Sequence, residues 1–213
     1  MSKVPAVLEI SAQRAVIQSS VDEKVVHCNS RCSEPTLPGS ATSEFLTVMR
    51  HIISILLQNE AGALSRVSNL FSSRGYNIES LNVAPTADPA ISRLTLVTRG
   101  SEEVIDQICK QLGKVVDVVA ITDLTSFDHI EREYALFKVD VGDSSDEPLK
   151  AVVAAAGARI LDDHQRHYTV ECIGGSQDID RFMAQIIGTG QLKTVVRSGA
   201  MAIARGAPVF GRG

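Results

Sequence analysis

Tryptophan is absent from the 213 residues, and aromatic side chains make up only 4% of them. The large rings that dominate many interiors are scarce, so a core must be built from Val, Ile, Leu and Ala. Basic charge is also short: 21 Lys and Arg stand against 25 Asp and Glu, a net charge of −4. A general nucleic-acid binder needs a basic footprint, and none is present. No apolar run approaches the roughly 20 residues of a membrane-spanning helix, so a soluble chain is expected. The four cysteines, Cys28, Cys32, Cys109 and Cys172, form no disulfide framework, which fits a reducing compartment.

Catalytic signatures are missing as well. There is no G-x-S-x-G, no H-E-x-x-H, no paired C-x-x-C and no G-x-x-x-x-G-K-[ST]. Gly188-Thr-Gly190 follows a helical stretch instead of opening one, and reads as a helix stop. His164 and His167 are three apart, which on a strand puts them on opposite faces, poor geometry for a metal. His27, Cys28 and Cys32 lack a second ligand pair at zinc-finger spacing. Cys109 and Cys172 fall on apolar faces and read as buried structural thiols.

What is present is periodicity. Residues 1–48 carry four basic against five acidic side chains and no apolar h-region, so they read neither as a secretory signal nor as an Arg-rich transit peptide. Ser33 to Ser43 combines Pro, Gly and Ser like a linker. This segment is expected to be a disordered leader, or an upstream extension of the true start. From Met49 the pattern becomes regular. His51–Leu57 is a β-branched apolar run, Leu64, Val67, Leu70 and Phe71 recur at helical spacing, and Gly75 closes that helix. Asn77–Ala84 and Arg93–Thr98 read as strands. Ser101 caps a helix with stripe Val104, Ile105, Ile108, Cys109 and Leu112, and Val115–Thr122 follows as a strand.

The order βαββαβ then repeats. Tyr134–Val141 is a strand and Glu147–Ala156 a helix. Ala158–Asp162 and Tyr168–Ile173 pair around His164-Gln165-Arg166. Ser176 caps a helix with stripe Ile179, Phe182, Met183, Ile186 and Ile187, and Leu192–Val196 is the last strand. The fold class is therefore α+β, two ferredoxin-like βαββαβ units, one over 49–126 and one over 127–206, with a tail at 207–213. Four strands with both helices on one side leave the other side open. A dimer is expected to cover it, with sheets joined edge to edge or face to face.

One loop has a chemical reading. Asn59-Glu60-Ala61-Gly62-Ala63-Leu64 leaves the first strand and opens the first helix. The first N–H groups of a helix lack intrahelical partners, and the dipole there favours an anion. Gly62 lets a ligand approach the backbone. A side-chain amide can accept from an ammonium or donate to a carboxylate, and Asn59 stands in the loop while Asn77, followed by Ile78, opens the second strand. Two readings stand here: a site for a zwitterion with a small apolar side chain, or plain turn residues.

The string Asn59-Glu60-x-Gly62-Ala63-Leu64-Ser65-Arg66-Val67, with Arg74-Gly75-Tyr76-Asn77-Ile78-Glu79-Ser80-Leu81, resembles the opening of the small, regulatory subunit of acetolactate synthase (acetohydroxyacid synthase). That opening is an ACT domain. The likeness continues through Ser92–Thr95, Gln111-Leu112, Val116-Asp117-Val118, Glu131-Arg132-Glu133, Tyr168–Val170 and Arg197 to Gly206, about 49–206 in all. Family chains usually begin at the position of Met49.

The resemblance implies a non-catalytic chain in the bacterial cytoplasm that holds no cofactor itself. It implies a large catalytic subunit as partner, carrying thiamine diphosphate, Mg and FAD. It implies activation of that subunit and feedback inhibition by a branched-chain amino acid, typically valine. The effector would sit between two ACT domains of a homodimer. Asn59, Gly62, Ala63 and Leu64 would come from one chain, Asn77 and Ile78 from its partner. An ACT-type amino-acid sensor of another enzyme is the alternative.

Overall fold

Residues 25–27, 48–206 and 210 are described by the computed structural model, 25–27 as backbone only. Strand β1 is Val25–His27. The first unit follows as β2 (Met49–Gln58), α1 (Ala63–Ser73), β3 (Ser80–Pro85), β4 (Ile91–Gly100), α2 (Glu102–Leu112) and β5 (Val118–Asp123). The second comprises β6 (His129–Asp140), α3 (Glu147–Ala155), β7 (Arg159–Asp162), β8 (His167–Gly174), α4 (Ser176–Ile187) and β9 (Gln191–Arg197), with β10 (Met201–Ala204) after it.

The first sheet runs β1-β5-β2-β4-β3. Without β1, that is the ferredoxin-like order in which the first and third strands of the unit lie at the centre. The second sheet repeats it, with β6 and β8 central, β7 at one edge and β9 on the other side of β6. Alternation along each central strand sends one apolar row toward the helices. In the first unit that row is Ile53, Ile55 and Leu57 on β2 and Leu94 and Leu96 on β4. It packs against Val67 and Phe71 of α1 and Ile105, Ile108 and Leu112 of α2, all nearly inaccessible. In the second unit Ala135, Phe137 and Val139 of β6 meet Ile179, Phe182 and Ile186 of α4. Phe137 and Phe182 touch edge to face, with centroids 5.3 Å apart, the arrangement the ring quadrupole favours. Cys109 and Cys172 are buried thiols, as expected.

Several expectations are corrected. The second strand starts at Ser80, not Asn77: the Asn77 carbonyl accepts from the Thr98 hydroxyl at 2.6 Å, and the ladder begins with Ser80 opposite Val97. The strand read from Val115 starts at Val118, because the Val118 N–H bonds back to the Val115 carbonyl in a turn. Gly175, not Ser176, caps α4. The leader contributes a strand: residues 25–27 pair in parallel with 120–122 of β5. The rest of that leader, with Cys28 and Cys32, lies outside the described residues, as does the tail apart from Phe210.

A larger correction concerns the open face of the first sheet, which the sequence assigns to a second copy. Strand β10 continues the β9 edge along the first half of β6, Met201 opposite Arg132 and Ala204 opposite His129. Its small side chains Ala200 and Ala202 pack on Ile52, Val97 and Leu124. Part of that face is thus covered by the chain's own second unit. Gly199, at φ +76, makes the approach possible: a Cβ there would lie 3.0 Å from the Ser80 Cβ.

The joint is also ionic. Arg50 of β2 donates to both oxygens of Glu131 of β6, at 3.0 and 2.7 Å. The Ser176 hydroxyl at the start of α4 donates to the same carboxylate at 2.6 Å. Burial alone would raise the Glu131 carboxyl, but Arg50 and Ser176 together outweigh it and hold the group below its usual range. A depressed value in the folded state gives stability that is present above the unfolded pKa of about 4.3 and lost as pH falls through the folded one. Acidification below about pH 4 is therefore expected to loosen the joint, read as faster amide exchange along β10. The Glu131→Gln variant should lack that acid step; an identical step in the variant would assign it to another group.

Candidate functional site

The loop that leaves β2 is held by the turn between β3 and β4. The Asn59 N–H donates to the Ala90 carbonyl at 2.7 Å, and its side-chain amide NH2 donates to the Pro89 carbonyl at 2.9 Å. One of the two N–H donors of the Asn59 amide is therefore committed to the fold. Its oxygen accepts no bond among the described residues. Gly62 caps α1 in the left-handed region, φ +87 and ψ −11, a conformation that side chains disfavour.

The N–H of Ala63 is also engaged, donating to the Glu60 carbonyl at 3.2 Å. The N–H groups of Gly62, Leu64 and Ser65 have no partner among the described residues, so these, with the dipole, form the anion-seeking end of the helix. Ala63 is buried against the core while Leu64 is 38% exposed and free to lie against a ligand.

A residue that the sequence reading did not single out stands beside them. Arg66 lies one helical turn past Gly62. Its Nε and one terminal nitrogen donate to the two oxygens of Asp117, at 2.5 and 2.7 Å. Asp117 is buried. The hydrogen bond to Asp117 pushes the Arg66 guanidinium above its ordinary range. The other terminal nitrogen is aimed over Gly62, 3.1 Å from where a Cβ would stand. A fixed cation with one nitrogen left over, next to open helix N–H groups, is suited to a carboxylate. Arg66 falls inside the string that carries the family likeness, and its position four after Gly62 on a helix was the available signal.

Asn77 and Ile78 lie at the far end of α1. Eleven helical residues, about 16 Å of rise, separate them from the loop. One chain alone does not bring the six residues together. Asn77 is exposed, and Ile78 is half-buried against the first core.

A separate cavity of about 800 Å³ opens between the two units. Its guanidinium groups are already matched: Arg50 with Glu131, Arg99 with Glu79 at 2.5 Å, and Arg197 with Glu133 at 2.7 Å. It is part of the joint.

Residues 53–120 match the family model described as an AHAS small subunit-like ACT domain, and residues 132–206 match that of the small subunit of acetolactate synthase. The chain is 46% identical over 158 residues to the acetolactate synthase isozyme 3 small subunit of Salmonella typhimurium, covering 74% of this chain and 97% of that one. It is 42% identical to the acetolactate synthase small subunit of Buchnera aphidicola subsp. Schizaphis graminum, covering all of that protein and 74% of this one. The crystal structure of the Thermotoga maritima small subunit superposes with a TM-score of 0.68 at 30% identity, over 75% of this chain and 99% of the other. With both units matched in order, and relatives covered almost end to end, this chain belongs to the acetolactate synthase small subunit family.

Proposed function

We propose that this chain is the regulatory partner of an acetolactate synthase large subunit, raising its activity and making it sensitive to valine. Thiamine diphosphate, Mg and FAD belong to that large subunit in this reading. The observation that carries it is the βα loop with open N–H groups beside Arg66, within a unit that matches the small-subunit ACT family. The alternative, a sensor for another enzyme, has the second unit against it, because residues 132–206 match the same small-subunit family.

The site is completed by a second copy. Strand β3 is the free edge of its sheet, and its last residues Val83 to Pro85 are exposed. Antiparallel pairing of β3 with the same strand of a partner sets the start of one against the end of the other. The end of β3 leads into the turn that holds Asn59. The partner's Asn77 and Ile78 then come to the mouth of the loop. The ligand carboxylate meets Arg66 and the N–H groups of Gly62, Leu64 and Ser65. Its ammonium meets amide oxygens, and its isopropyl group lies against Leu64 and Ile78.

Regulation follows by linkage. Valine inhibits only if it binds one arrangement of the complex more tightly than the active one, and a coupling of about 1–3 kcal/mol is ordinary. The test is to mix the chain with the large subunit and measure acetolactate formation with and without valine. Activation without valine sensitivity would remove the effector half of the reading. Arg66→Lys keeps a cation for Asp117 but loses the nitrogen over Gly62. It is expected to weaken valine binding about tenfold by calorimetry with little change in thermal midpoint. Unchanged affinity would take Arg66 out of the site.

A further inference from the structure

Arg66 is the cation offered to a ligand in the βα loop, yet the charge around it does not favour a plain anion. Its Nε and one terminal nitrogen meet both oxygens of buried Asp117. Two-point pairing fixes the plane of the guanidinium as well as its position. The remaining terminal nitrogen is the one over Gly62.

Asp117 is tied down from a second side. It stands in the turn between α2 and β5, and its carbonyl accepts from the Gln58 N–H at 2.8 Å, at the end of β2. The strand that enters the loop is thus held by its main chain, and the helix that leaves the loop by its side chain. A change confined to the carboxylate leaves the main-chain tie in place.

The charges decide what the loop can hold. Arg66 and Asp117 cancel. Exposed Glu60, whose charge also acts on Arg66, is negative as well. Against this stand the open helix N–H groups, equivalent to about half a positive charge. A ligand of net negative charge gains little there in return for its lost water. A zwitterion brings its own cation, which a carboxylate one guanidinium away attracts.

We propose that Asp117 is a positioning and specificity-determining residue: it locks Arg66 over Gly62 and cancels its charge, so that the loop takes an α-amino acid and rejects the 2-keto acid of the same carbon skeleton. The inference rests on the reading above that the loop is an effector site.

The full-length chain is titrated by calorimetry with L-valine and with the 2-keto acid of valine's carbon skeleton, which has the same carboxylate and isopropyl group but no ammonium. Wild type should prefer valine. Asp117→Asn keeps the shape and the tie to Gln58 but leaves an uncompensated cation. Its preference for valine should fall at least about fivefold, because the keto acid is attracted and the ammonium repelled. Arg66→Gln leaves the carboxylate uncompensated, and should weaken both ligands while shifting the ratio further toward valine. The double variant has neither charge and should return near the wild-type ratio at lower affinity. A merely structural role for Asp117 lowers both affinities together and leaves the ratio alone.

An unchanged ratio in Asp117→Asn, or a double variant no nearer wild type than the single ones, overturns the assignment. If the thermal midpoint shows that Asp117→Asn does not fold, the shift in Arg66→Gln decides, and its absence overturns the assignment. A wild-type chain that binds neither ligand overturns the effector-site reading itself, and is told apart because no variant plays a part in it.

Discussion

Gly62→Asp is expected to abolish valine binding while activation of the large subunit survives. Three effects converge at this position. The residue sits at φ +87, where a side chain costs about 1–2 kcal/mol, less for Asp than for most. An acidic residue at the cap of α1 recovers part of that cost from the helix dipole and open N–H groups, so the unit stays folded. The new carboxylate then lies where the ligand's carboxylate would sit, within reach of the Arg66 nitrogen that is 3.1 Å from the Cβ position. The site is filled by its own chain, and a loss of at least about 100-fold in affinity is expected, roughly 2.7 kcal/mol. Gly62→Ala, which adds bulk without charge against the Arg66 guanidinium, should lose much less. Calorimetry decides the matter: valine affinity near wild type in Gly62→Asp would move the effector to another place. Activation tests locality, since the change is confined to the cap of α1.

The loop was legible because its chemistry is local in sequence. A glycine at a helix start, an asparagine before it and a helical apolar stripe after it all fall within a dozen residues. The four helices were legible for the same reason, since Val67, Leu70 and Phe71, or Ile179, Phe182 and Ile186, repeat at the period of one face. What was missed depends on residues far apart in the chain. Arg66 and Asp117 are 51 positions apart, Arg50 and Glu131 are 81 apart, and buried His51 meets Asp123, 72 residues on, at 2.9 Å. No pattern in one chain announces such pairs. Strand β10 is four residues long, too short for alternation to speak, and its place is set by pairing with β6, some 70 residues earlier.

The cap of α4 shows how tertiary context overrides a local preference. Ser176 has the side chain a cap favours, yet its hydroxyl serves Glu131 and the cap passes to Gly175, whose N–H bonds Asp178 at 3.1 Å. Part of the open face of the first sheet is covered by the chain itself, not by a second copy, for a related reason. Half-buried sheets need cover, and that requirement is readable from sequence, but whether the cover is a second copy or the same chain is not.

The largest stability effect is expected from Arg197→Met. Glu133 of β6 is only 3% exposed, although it carries a carboxylate. Its sole charge partner among the described residues is Arg197 of β9, which donates to both of its oxygens at 2.7 and 2.8 Å and also reaches Asp180 of α4 at 2.6 Å. The bond to Glu133 raises Arg197 far above its ordinary range. A forked guanidinium meeting both oxygens is the geometry in which a buried pair offsets its own desolvation. Methionine keeps the aliphatic stem but leaves the Glu133 carboxylate buried and alone. That is expected to cost about 3 kcal/mol, the lower end for a broken buried pair because the Arg197 head is partly solvated. In a chain of this size the thermal midpoint should drop by roughly 6–12 °C. Asp180, being exposed, contributes little to the loss. Replacing both partners, Glu133→Leu with Arg197→Met, removes the stranded charge and should recover most of the stability. If the double variant melts as low as the single one, the loss came from packing at the joint and not from an uncompensated charge.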